Sequence, residues 1–232
     1  MIQPGACSLS PHIVGNELKL PIEYVRVDMK EHKFKGEDDF YALHPNGYIP
    51  FLELDDGNCL TEGPTIIQFF ADLKPEAALA PANGTLARAQ LQQSLRFLSS
   101  EIHQVFRAVI HADKSDRYFE ASTQKLARHY GWIDNQLASN PYLQGERFTV
   151  ADAYLFALTG WANASWLTTY IDSGFSVENL GNLRAWYQRM RQRPAVQKSL
   201  EEEGLNYYLY CLSRISMYIR YPSFSKWKVT YN

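Results

Sequence analysis

The sequence is poor in cysteine. Its 232 residues carry three, Cys7, Cys59 and Cys211, an odd set without metal-ligand spacing. That argues against a disulfide framework and against a zinc site, so reduced thiols and no metal are expected. It also lacks an apolar run near the roughly 20 residues that span a bilayer. The opening MIQPGACSLSPH has no charged-then-apolar signal pattern, which makes a cytoplasmic location the expectation. Charge of one sign is missing too. With 23 basic and 25 acidic side chains the net charge is −2, too little to draw the chain to nucleic acid or an anionic membrane. Small molecules are the expected partners.

What is present is an ordinary globular composition, 46% hydrophobic and 21% charged, with enough chain for one or two domains. Ser10-Pro11 marks a helix start, and residues 22–28 are rich in β-branched and aromatic side chains, as a strand is. Asp55-Asp56-Gly57 between two short apolar runs predicts a β-hairpin. Gly63-Pro64 then opens an amphipathic helix through Ile66, Ile67, Phe69, Phe70 and Leu73. Pro75, Pro81 and Asn83-Gly84 mark a connection. Beyond it, helical periodicity predicts helices at 86–109, 118–137, 150–166, 180–190 and 194–203. The expected division is 1–74, a linker at 75–84, an all-helical unit at 85–205, and an aromatic and basic tail at 206–232.

Several residues invite a chemical reading. Cys7 lies just before a helix start, where free N–H groups and the helix dipole favour an anionic sulfur. A buried cysteine without chemistry is as common a reading of that spacing alone. Cys7-Ser8-Leu9-Ser10 has the form of a redox pair whose second cysteine is serine, so any redox cycle there is monothiol. Arg96, Ser100, His103 and Arg107 fall on one helix face by steps of three and four. Thr149-Val150-Ala151-Asp152 reads as a capping box and hence as structural.

The combination Pro4-Gly5-Ala6-Cys7-Ser8, Asn46-Gly47-Tyr48-Ile49-Pro50, Leu60-Thr61-Glu62-Gly63 and Gly145-Glu146-Arg147-Phe148-Thr149-Val150-Ala151-Asp152-Ala153-Tyr154 resembles bacterial cytosolic glutathione transferases of the beta class, over roughly positions 1–205. The resemblance implies an α/β thioredoxin-like N-terminal domain followed by an all-α C-terminal helical domain. It further implies a homodimer, and glutathione as cosubstrate for conjugation to small hydrophobic electrophiles. Cys7 and His103 are then the catalytic candidates. Cys7, Ile49, Glu62, Gly63, Ser100 and His103 become the glutathione-binding candidates, and Pro50 the cis-proline that turns Ile49 toward the ligand. Glu62 and Gly63 would clamp the γ-glutamyl group, carboxylate to ammonium and helix-end N–H groups to carboxylate.

Two positions depart from the family pattern: Arg96 stands where asparagine is common, and His32 where lysine is common. The three residues before Pro4 leave room for a barely possible first strand, and the 206–232 tail has no counterpart in the family. Two alternatives accompany the transferase reading. One is a glutathione-dependent thiol–disulfide or peroxide reductase working through a Cys7 mixed disulfide. The other is a non-catalytic ligand-binding or scaffold relative.

Overall fold

A computed structural model of the chain describes residues 1–36, 38–168, 170–171 and 173–205. The expected tail, with Cys211, lies outside the described residues.

The N-terminal part runs α1 (Leu9–Glu17), β1 (Val27–Asp28), β2 (Lys33–Phe34), β3 (Asp38–Asp39), α2 (Phe40–Leu43), β4 (Phe51–Glu53), β5 (Cys59–Thr61) and α3 (Gly63–Leu73). The strands form two antiparallel groups, β1-β2-β3 and β4-β5. In the second, Leu52 pairs with Leu60 across the turn at Asp55-Asp56-Gly57, and Gly57 adopts the positive φ of 82° that such a turn asks of glycine. The strand expected over 22–28 shrinks to its last two residues, Val27 and Asp28, which pair with Phe34 and Lys33 of β2, while on the other side Ile2 supplies a single bridge. Ile2 makes a single parallel bridge to Arg26: its N–H donates to Val25 (2.8 Å), and its carbonyl accepts from Val27 (2.9 Å). The Met1 ammonium donates to the Phe51 carbonyl on the opposite side. These first residues therefore tie the two groups together at one point. Beside that tie lies a groove of about 750 Å³ between 22–25 and 51–54, floored by Pro11, Ile66 and Phe70.

From Leu86 onward the regular elements among the described residues are helices: α4 (Leu86–Phe97), α5 (Gln104–His111), α6 (Arg117–Leu137), α7 (Val150–Thr159), α8 (Gly181–Arg191) and α9 (Pro194–Glu202). Local chemistry sets their starts. The Thr85 hydroxyl accepts from Arg88 N–H (3.1 Å) and the Asp116 carboxylate from Tyr118 N–H (2.8 Å), satisfying donors that a helix end leaves free. A capping box closes α7, with Asp152 Oδ2 2.9 Å from Thr149 N–H and 3.1 Å from its hydroxyl.

Two helices differ from expectation. The one predicted over 86–109 is continuous but not uniformly α-helical, since Leu98–His103 is a π-helical turn between α4 and α5. The one predicted to reach 166 ends at Thr159: the Trp161 and Ala162 N–H groups turn to the carbonyls three residues back (3.1 and 3.0 Å), and the Gly160 carbonyl accepts from the Tyr170 N–H (3.0 Å). The Tyr170 ring covers Gly160 so closely that a Cβ there would lie 2.1 Å from it. All ten residues of α7 are buried, as befits a central helix apolar on every side. Around α7 pack α1 and α3 from the first half and α4 from the second, so Leu9, Ile13 and Ile67 share one core with Leu155, Tyr130 and Trp186. The architecture is a thioredoxin-like α/β unit joined to an all-α unit.

Candidate active site

Three N-terminal features converge. The Ile49–Pro50 peptide bond is cis. A Cβ on Gly63, the first residue of α3, would lie 3.7 Å from Pro50 Cγ and 3.7 Å from Ser10 Oγ, so the starts of α1 and α3 meet at the cis-proline. Both helices direct the positive ends of their dipoles to this place, an arrangement suited to an anion; the first N–H groups of α1 are already turned back on the Ala6 and Cys7 carbonyls (3.0 and 3.1 Å), and at α3 the Thr65 N–H is turned back on Glu62 (2.9 Å). Glu62, just before α3, is exposed and holds φ 66°, ψ 110°, a conformation that a side chain with a Cβ rarely adopts. Strain of this kind persists where surrounding structure imposes it, and it clusters at ligand clamps.

Cys7 is buried beside this junction. Its thiol donates to the Ile49 carbonyl (Sγ···O 3.5 Å), and its own carbonyl accepts from the Ser10 hydroxyl (2.8 Å). Burial pushes the thiol up to about 12; the charges of Glu62 and Glu203 add to that, while the N–H groups of Cys7 and Ser8 oppose it. Desolvation thus outweighs the helix-end effect, and at neutral pH Cys7 is a thiol rather than the thiolate its position suggests. The Ile49 N–H has no protein partner among the described residues.

The helical half supplies the facing side. His103 Nδ1 lies 2.7 Å from the Tyr154 hydroxyl, and its ring centroid lies 5.1 Å from that of Trp161. Burial, and then the Arg107 charge, lower His103 to about 4, so it is neutral at pH 7. Trp161 Nε1–H donates to the Gly5 carbonyl (2.7 Å), which joins the end of α7 to the loop carrying Cys7. Gly5 holds φ +72°, and a Cβ there would stand 2.8 Å from Tyr170 Cβ, so the loop requires glycine on both counts.

The predicted polar stripe is not a single surface. Its residues straddle the π-helical turn, which adds a residue to the helical repeat and rotates the next helix about its axis. Ser100 turns back to the Arg96 carbonyl (3.1 Å). The Arg107 guanidinium lies 5.2 Å from the centroid of the exposed Tyr48 ring, beside Ile49. His32 holds φ 51° and stacks near Tyr41, with ring centroids 4.2 Å apart. No group of three or more His, Cys, Asp or Glu residues among those described could hold a metal ion.

Tyr154, Trp161 and Glu203 were not singled out for the site by sequence. Tyr154 lies within a recognised motif, but on a helix buried on every side no periodicity says which residue faces the cleft.

Two family models match the chain: "Glutathione S-transferase, N-terminal domain" over residues 5–73 and "Glutathione S-transferase, C-terminal domain" over 97–194. Glutathione S-transferase GstA of Escherichia coli O157:H7 is 34% identical over 203 residues, covering 88% of this chain and 97% of the relative. A sphingomonad glutathione S-transferase complexed with glutathione superposes with a TM-score of 0.78 at 38% identity, covering 88% of this chain and 98% of that one. The bacterial beta class glutathione S-transferase of Sphingomonas chungbukensis gives 0.77 at 40% identity, with the same coverage of 88% and 98%.

Proposed function

The chain belongs to the glutathione S-transferase family, and from that premise we propose that it binds glutathione at the junction of Cys7, cis-Pro50 and Glu62-Gly63 and conjugates it to small hydrophobic electrophiles. The observation that carries the reading is the strained backbone of Glu62 just before α3, next to Gly63, which abuts cis-Pro50 and the start of α1. There the Glu62 carboxylate takes the ligand's ammonium, and the Gly63 N–H with the positive end of the α3 dipole takes its α-carboxylate. The free Ile49 N–H and the Ile49 carbonyl serve the cysteinyl main chain, the carbonyl exchanging the Cys7 thiol for the ligand.

The nucleophile is the sulfur of glutathione. Cys7, held neutral by burial, acts as a hydrogen-bond donor beside it, which weighs against a reductase working through a Cys7 thiolate. Glutathione loses its thiol proton to solvent. The thiolate electron pair then forms the new carbon–sulfur bond while the bond to the leaving group breaks and that group departs with its electrons. His103 supports the anion from the helical side, and Tyr48 and Arg107 border the opening for the electrophile. The active molecule is a homodimer, which light scattering checks directly.

Calorimetric titration with glutathione, repeated on Glu62→Ala, tests the proposal. Saturable binding that weakens at least about tenfold in the variant supports the clamp, since a charge-assisted hydrogen bond contributes roughly 1.5–3 kcal/mol. A folded protein that takes up no glutathione overturns it and leaves a scaffold relative.

A further inference from the structure

Tyr154 has no part in the binding just proposed, yet its hydroxyl is the one protein partner of His103 among the described residues, at 2.7 Å from Nδ1. Two hydrogen-bond directions fit that distance. A phenol O–H is a stronger donor than a neutral imidazole N–H, and an imidazole nitrogen is a stronger acceptor than a phenol oxygen, so the tyrosine donates. Nδ1 is then the acceptor, and the ring proton sits on Nε2. The ring itself is held edge-on between Tyr154 and Trp161, with interplanar angles of 76° and 63°. Trp161 in turn anchors the Gly5 carbonyl. His103 is thereby fixed in orientation relative to the loop that carries Cys7.

We infer that Tyr154 is a positioning residue that holds His103 in its Nε2–H tautomer, so that the ring presents a hydrogen-bond donor to the glutathione thiolate. This rests on the glutathione reading above. A neutral donor in a partly dry cleft stabilises the thiolate more than the thiol without the desolvation cost of a full imidazolium charge. Burial, above all, keeps Tyr154 a phenol, raising it well above the ordinary range. It therefore stays a donor throughout the working pH range.

The test reads the tautomer first, in ligand-free protein labelled with 15N-histidine. Long-range 1H–15N correlation, with His103 assigned by its loss in His103→Gln, gives the protonated nitrogen. The expected result is Nε2–H in the wild type and a mixture of tautomers in Tyr154→Phe, which deletes only the hydroxyl. A wild-type Nδ1–H tautomer overturns the inference without recourse to any variant, as does an unchanged single tautomer in Tyr154→Phe. The thiolate absorbance of bound glutathione is then titrated. Its apparent pKa should rise by about one unit in Tyr154→Phe, corresponding to about 1.4 kcal/mol, with the affinity measured well below that pKa, where bound glutathione is a thiol, within twofold of wild type. Unchanged thiolate titration at retained affinity also overturns the inference. Failure of wild-type protein to bind glutathione sinks the function proposed above, while the ligand-free spectra still report on the tyrosine.

Discussion

The Glu203 carboxylate joins Gly5 to His12 across nearly the whole described chain: Oε2 accepts from the Gly5 N–H at 2.9 Å, and Oε1 faces His12 Nδ1 at 2.9 Å. The side chains of His12 and Glu203 are both fully buried, and Glu202 closes on the other His12 nitrogen at 2.7 Å. The end of α9 is thus fastened to the loop that carries Cys7 and to the first turns of α1.

Glu203→Ala should cost about 1–3 kcal/mol of stability for each buried group it leaves unsatisfied. It leaves the His12 ring and the Gly5 N–H without their partner. Urea denaturation followed by circular dichroism measures the loss. A change below about 1 kcal/mol would show that the contact adds little.

Cys7 predicts a pH effect of definite sign. The folded thiol releases its proton only near 12, against an ordinary value of 9.0. Between those values the unfolded chain has lost the proton and the folded chain retains it, so rising pH favours unfolding. The stability that Cys7 adds over a Cys7→Ala variant should be constant below about pH 8 and decline steadily above 9. Ellman's reagent should also modify folded Cys7 far more slowly than the exposed Cys59 at pH 8; equal rates would sink this picture.

Asp152 accepts from Leu143 N–H (2.9 Å), Thr149 N–H (2.9 Å) and Trp186 Nε1–H (3.1 Å) while buried. Asp152→Ala strands all three donors at a cost of about 1–3 kcal/mol each by a non-additive reckoning. The expected outcome is a markedly lower melting temperature, with unchanged glutathione affinity in whatever fraction stays folded. Loss of affinity in fully folded protein would contradict a structural role.

Gly160→Ala and Gly63→Ala form an informative pair. An added methyl at 160 collides with the Tyr170 ring at 2.1 Å, whereas at 63 it meets Pro50 and Ser10 at an ordinary 3.7 Å. Thermal unfolding should drop sharply for the first, by more than the roughly 1–3 kcal/mol of ordinary overpacking. The second should change little. Equal behaviour would mean that the Tyr170 cover on α7 is not a fixed part of the fold.

Much of this fold was legible in the sequence because local chemistry decided it. Asp56-Gly57 specifies its hairpin, Gly63-Pro64 its helix start, and Thr149 with Asp152 their box, each within four residues. What escaped depends on partners far apart in the chain. The helix after Val150 stops where Tyr170 folds back on Gly160. The thiol of Cys7 stays neutral because burial outweighs the helix end in front of it. His103 separates from the Arg96 face because of a π-helical turn that no apolar spacing announces. His12 and Glu203 are 191 residues apart, a pairing that periodicity cannot reveal. The cis bond before Pro50 came from resemblance, since composition alone rarely favours one.

Trp161 touches the Gly5 carbonyl with its indole N–H and lies edge-on to His103, so under the proposed binding mode it borders two groups whose surroundings would change when a sulfur anion arrives. Indole emission responds to nearby charge and to hydrogen bonding at its nitrogen. The difference between the spectra of wild type and Trp161→Phe is therefore a built-in optical sensor of ligand arrival, able to follow filling of the cleft in real time without a dye or a coloured substrate.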